Sequence, residues 1–153
     1  MNYNNSIYQS YKNCNYVISL VPLENDYLFK KWGINSILIN NLTTFDYDLV
    51  VPSDLSSKEI IMIGRTEDYK KRFELGIISL KNIIKEIPES KMNIIGARNG
   101  GLMKLIKDTN LKNYVNFTDF HRNIETYVKS PSLHILTSFA ESYSIVLNET
   151  KIF

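Results

Sequence analysis

Cysteine is almost missing from this sequence: Cys14 stands alone among 153 residues, so no intrachain disulfide can brace the fold. Long apolar runs are missing too, because no stretch reaches the roughly 20 residues that a membrane-spanning helix needs. No charge dominates. Eighteen basic and 16 acidic residues leave a net charge of +2, which gives no field strong enough to argue for nucleic acid or an anionic membrane. Histidine is confined to His121 and His134, and neither has a Cys or His partner at metal-ligand spacing, so no metal is expected. The dinucleotide glycine fingerprint, the P-loop Lys-Ser/Thr and the Gly-x-Ser-x-Gly nucleophile turn are all absent. The polar start "MNYNNSIYQSYKNCNY" lacks the charged and apolar regions of a signal peptide, so the expected location is cytoplasmic. The sequons at Asn4, Asn41, Asn116 and Asn148 are then incidental to an Asn-rich chain.

What remains is a globular composition, 44% hydrophobic and 22% charged, with apolar strand-like runs alternating with amphipathic ones. "YVISLV" (16–21), "ENDYLFKKWG" (24–33) and "SILIN" (36–40) predict one β-α-β unit, with Gly33 closing the helix. Residues 41–59 carry Thr, Ser, Asp and Pro52 without helical periodicity and read as a linker. Beyond it, strands are expected at 60–64, 91–96, 114–117 and 133–138, and helices at 71–87, 101–111, 123–130 and from 144 onward. The run "IIMIG" shows no polar alternation, as befits a strand covered on both faces. This rhythm predicts an α/β fold with a Rossmann-like parallel sheet flanked by helices. Ligands in such sheets bind beyond the carboxyl ends of the strands, which directs attention to the loops after Gly64, Gly96, Phe117 and Ser138.

The first of these loops, "GRTEDYKKRF", places Arg65 just after a strand and Lys70, Lys71 and Arg72 at a helix opening, where the macrodipole disfavours cations. A bound anion would remove that conflict, and a solvated basic turn is the alternative. "GARNGG" (96–101) is a tight strand-to-helix turn. "TDFHRN" (118–123) offers His121, Arg122 and Asn123. "SFAESYSIVLNE" sets Glu141 and Glu149 on either side of a helix start at residues 142–144. Carboxylates accept pairs of hydroxyl hydrogens and helix amides bind anions, so the matching ligand carries vicinal diols and phosphate, as a nucleotide sugar does.

The ordered set "IGR", "KKRFELGI", "MNIIG", "VNFTDFHRNIETYV" and "SFAESYSIVLNE", with its Glu-x7-Glu spacing, resembles the donor-binding domain of retaining glycosyltransferases of family 4, which have the GT-B fold. The resemblance covers about residues 58–149. It implies the tail of a first Rossmann-like domain in 1–45, an interdomain linker in 46–57 and a truncated carboxyl-terminal donor domain in 58–153, a partial GT-B chain. It further implies transfer of a hexose from a nucleotide sugar (UDP-, GDP- or ADP-sugar) to a hydroxyl of a glycan, lipid or protein, with retention and without a metal. Arg65 and Lys71, with Lys70 as the alternative, would bind the diphosphate. Glu141 would hold the transferred sugar, Glu149 the ribose, the backbone of Ser142, Tyr143 and Ser144 the sugar and phosphate, and His121, Arg122 and Asn123 the base. Arg65, Lys71 and Glu141 would be the catalytic set. Ser144 stands where the family has glycine, and the cationic loop is one residue longer than usual. A separate amino-terminal-half chain is an implied partner, and a non-catalytic nucleotide-sugar-binding fragment is the alternative reading.

Overall fold

The structure, a computed structural model, describes residues 3–42, 51–120, 125–141 and 143–151. The chain forms two compact units, Met1–Thr43 with Ser142–Ile145, and Thr44–Glu141 with Val146–Phe153. Of the linker expected over 46–57, residues 46–50 lie outside the described residues.

In the smaller unit the expected β-α-β element is present in shortened form. Strand β1 (Ile18–Ser19) pairs in parallel with β2 (Ile37–Leu38), with Ile18 opposite Ile37. Between them runs α2 (Pro22–Trp32), which has proline in its first turn and ends on Gly33, whose left-handed φ of 65° lets its amide reach back to the Leu28 and Phe29 carbonyls. A further helix, α1 (Tyr3–Lys12), was not expected from the Asn-rich start. Tertiary contact explains it: Tyr8 and Tyr11, three apart on one helix face, each lie 5.9 Å from the Trp32 ring.

The larger unit is a four-stranded parallel sheet, β3 (Glu59–Ile63), β4 (Lys91–Ile95), β5 (Val115–Thr118) and β6 (Leu133–His134), in the order β5-β4-β3-β6. Its helices are α3 (Phe73–Glu86), α4 (Gly100–Asp108), α5 (Glu125–Val128) and α6 (Ile145–Thr150). The unbroken apolar run of β3 is now accounted for. Ile60 and Met62 point to one face and pack with Phe73, Ile77 and Leu80 of α3, while Ile61 and Ile63 point to the other and pack with Tyr127 and Val128. Among the described residues no helix is long and apolar enough to cross a membrane.

Two boundaries differ from expectation in ways that bear on the site. The helix expected over 71–87 begins at Phe73, because Tyr69–Lys71 form a separate 3-10 turn and Arg72 takes a left-handed conformation between the two. The strand expected over 133–138 pairs only through Leu133 and His134, with a last bond from the Ile135 amide to the Ile61 carbonyl at 2.9 Å. After it the chain turns away, since Thr137 and Phe139 bond to the 3-10 turn instead.

The strand order creates a topological switch point. From β3 the chain moves outward through β4 to β5, then returns to place β6 on the opposite side of β3. The loops after β3 and β6 therefore meet beyond the carboxyl ends of these strands and leave between them a narrow crevice of about 10 Å³.

Candidate functional site

The crevice is formed by residues 64–72 and 135–141. At the end of β3, Gly64 and Gly96 approach each other so closely that a Cβ on Gly96 would lie 2.4 Å from the Gly64 carbonyl oxygen. Buried Thr66 donates from its hydroxyl to the Ala97 carbonyl, and the Asn99 side-chain amide donates to the Thr66 carbonyl at 3.4 Å. These bonds fix the start of the loop against its neighbour. Asp68 then caps the 3-10 turn, accepting from the Lys70 amide at 3.1 Å.

The turn delivers Lys71 into the crevice. Its Nζ lies 2.6 Å from Glu141 Oε1, and the two side chains keep only 25% and 24% of their accessible surface. Burial pushes the Glu141 carboxyl up, but the hydrogen bond and charge of Lys71 outweigh it and hold the carboxyl below its ordinary range. The pair thus contributes stability above the ordinary carboxylate range that is lost as pH falls through the lowered value.

The other expected residues divide clearly. Lys70 is exposed and leaves Lys71 as the cation that meets Glu141. Arg65 is 77% exposed at its side chain and pairs with Asp68 at 3.5 Å, so it lines the mouth of the loop. Glu149 is buried in α6, at 8% exposure, within the larger unit. Tyr143 and Ser144 are half-buried and belong to the smaller unit. His121, Arg122, Asn123 and Ser142 lie outside the described residues. His134 is a packed histidine: its Nδ1 is 2.9 Å from the Thr150 hydroxyl, and burial pulls its pKa down to about 4. A cavity of about 430 Å³ beside Glu59, Lys91 and Tyr114 lies at the amino ends of the strands, away from these groups.

Lys70, Lys71 and Arg72 precede α3, whose own first turn carries Glu74, paired with Arg72 at 3.3 Å. The macrodipole conflict is therefore smaller than the spacing implied. What sequence reasoning missed is Thr137, whose hydroxyl contacts the Lys71 carbonyl at 2.9 Å and the Arg72 carbonyl at 2.8 Å. No signal in "LTSFAE" marks it, because its partners lie more than 60 positions away.

Comparison with known proteins agrees with this architecture. A family model described as Glycosyl transferases group 1 matches residues 49–152. Among solved structures, a TarM mutant from S. aureus in complex with fondaparinux, alpha-GlcNAc-glycerol and UDP superposes with a TM-score of 0.83 at 20% identity, over 97% of this chain and 30% of that one. The pneumococcal O-GlcNAc transferase GtfA in complex with UDP and GlcNAc gives 0.79 at 16%, over 99% and 31%. HepE from Anabaena in complex with UDP and glucose gives 0.71 at 17%, over 97% and 45%. This chain therefore spans about a third of the length of the first two. No curated protein sequence matches it significantly.

Proposed function

Since the chain belongs to the glycosyl transferases group 1 family and has the Rossmann-like architecture of its GT-B members, we propose that it binds the nucleotide-sugar donor for hexosyl transfer to a hydroxyl acceptor with retention. The observation that carries this is the meeting of Lys71 and Glu141 in the crevice between β3 and β6. A cation and a carboxylate at hydrogen-bond distance match the two halves of such a donor, its diphosphate and its sugar hydroxyls. In the free protein each satisfies the other. An entering diphosphate draws the Lys71 ammonium to itself and frees Glu141 Oε1 to accept from the sugar.

Arg65, exposed at the mouth, completes the diphosphate contact, and the two cations stabilise the charge that develops on the leaving nucleotide. These side chains supply the neutralisation that a metal would otherwise provide. Glu149 takes the ribose hydroxyls, the backbone of Ser142 to Ser144 the sugar and phosphate, and His121 to Asn123 the base. Residues 1–45 form the end of a first Rossmann-like domain, 46–57 the linker and 58–153 the donor domain. UDP in the TarM, GtfA and HepE structures makes a uridine nucleotide the first donor to try. The share of those chains covered here favours a second reading, a nucleotide-sugar-binding part that catalyses only with further residues.

Calorimetric titration with UDP, UDP-glucose and UDP-GlcNAc, then with the guanosine and adenosine equivalents, tests the donor reading. Lys71→Met is expected to weaken nucleoside diphosphate binding by about 10-fold to 100-fold, the worth of one charge-assisted hydrogen bond. Glu141→Gln should leave diphosphate affinity intact and abolish any preference for the sugar conjugate. Unchanged affinity in a folded Lys71→Met variant would refute the assignment.

A further inference from the structure

Arg72 is the point of strain in the crevice. Its φ of 51° and ψ of 44° are left-handed, a conformation that costs a side-chain-bearing residue roughly 1–2 kcal/mol. No side-chain cap supports α3 at this residue. Strain of this kind persists only where surrounding bonds over-determine the backbone.

Some of those bonds are local, from the Arg72 amide to the Tyr69 carbonyl at 3.3 Å and from the Leu75 amide to the Arg72 carbonyl at 3.0 Å, and the others come from the loop after β6. The Thr137 hydroxyl has one hydrogen and shares it between the carbonyls of Lys71 and Arg72, at 2.9 and 2.8 Å. Two residues on, the Phe139 amide donates to the Lys70 carbonyl at 3.0 Å. Three successive carbonyls of the cationic turn are thus held by one short stretch, and that stretch leads directly to Glu141. Both ends of the Lys71–Glu141 pair are set by the same clamp. Threonine suits the task, because its branched Cβ restricts χ1 and holds the hydroxyl in place.

We propose that Thr137 is the positioning residue of the diphosphate site: its bifurcated hydrogen bond keeps Arg72 left-handed and so aims Lys71 into the crevice. This rests on the donor reading above and adds a determinant outside the charged set. Thr137 acts through the backbone of Lys71 and Arg72.

The test compares Thr137→Val, which keeps the branched shape and removes the hydroxyl, with Thr137→Ser, which keeps the hydroxyl. In the ligand-free chain, nuclear magnetic resonance titration of the Glu141 carboxyl should give a lowered pKa in the wild type and Thr137→Ser, and an ordinary one in Thr137→Val. With UDP and UMP as probes, Thr137→Val should lose about 10-fold in UDP affinity while the UDP-to-UMP preference falls, and Thr137→Ser should restore both. A wild-type Glu141 titration in Thr137→Val overturns the proposal, as does equal loss in the valine and serine variants. If Thr137→Val does not fold, Thr137→Ala carries the same expectation. A wild-type chain that binds no nucleoside diphosphate while Glu141 titrates as expected refutes the donor reading and leaves the clamp standing.

Discussion

The loop leaving β3 and the loop leaving β4 both begin at a glycine, Gly64 and Gly96, and both lead to a helix on the same face of the sheet. They solve that connection differently. After β4 the chain enters α4 at once, with Asn99 as N-cap accepting from the Gly101 and Leu102 amides at 2.9 and 3.2 Å. That is a low-energy turn in which each residue does what its intrinsic preference favours. After β3 the chain inserts a 3-10 turn and a strained arginine, then starts α3 with no side-chain cap. It also depends on bonds from a different loop. The loop after β4 follows local preference throughout, whereas the loop after β3 holds its cations in place through strain and distant bonds. The contrast supports the proposed site, which lies where local preference is overruled.

The two loops touch at Gly96. Gly96→Ala would drive a Cβ against the Gly64 carbonyl at 2.4 Å and against Thr66 Cγ2 at 3.0 Å, displacing both loops together. A loss of about 2–3 kcal/mol in unfolding free energy is expected, read by urea denaturation, and a loss under about 0.5 kcal/mol would mean the contact yields easily. Arg72→Gly relieves the left-handed strain at the cost of glycine's extra freedom in the unfolded chain and a surface ion pair with Glu74. The net expectation is a gain of a few tenths to about 1 kcal/mol. A clear loss would show that the strain is smaller than the φ value implies.

The sequence made the sheet legible because its signals were local. "IIMIG" and "KMNIIG" are runs whose composition suits strands covered on two faces, and the structure pairs them in register from Glu59–Lys91 to Ile63–Ile95. The helical spacing of Phe73, Ile77 and Leu80 likewise matches the buried face of α3. What was not legible depended on distant partners. Helix α1 forms around the Trp32 ring despite its asparagines. The expected strand at 133–138 stops early because Thr137 and Phe139 find better bonding to the turn at 69–72 than to β3. For the same reason Lys71 and Glu141 could be named from a family pattern, while the clamp that brings them together could not be read from spacing. His121, Arg122, Asn123 and Ser142 fall outside the described residues.

In the proposed function the crevice between β3 and β6 receives the diphosphate of a nucleotide sugar. Backbone amide chemical shifts of the labelled chain, followed while UDP is added, test it residue by residue. Saturable shifts are expected over Gly64–Arg72 and Thr137–Glu141, with Ala97–Gly101 largely unmoved. Shifts centred on the glycine-rich loop after β4, with the Lys71 and Glu141 amides unchanged, would contradict it.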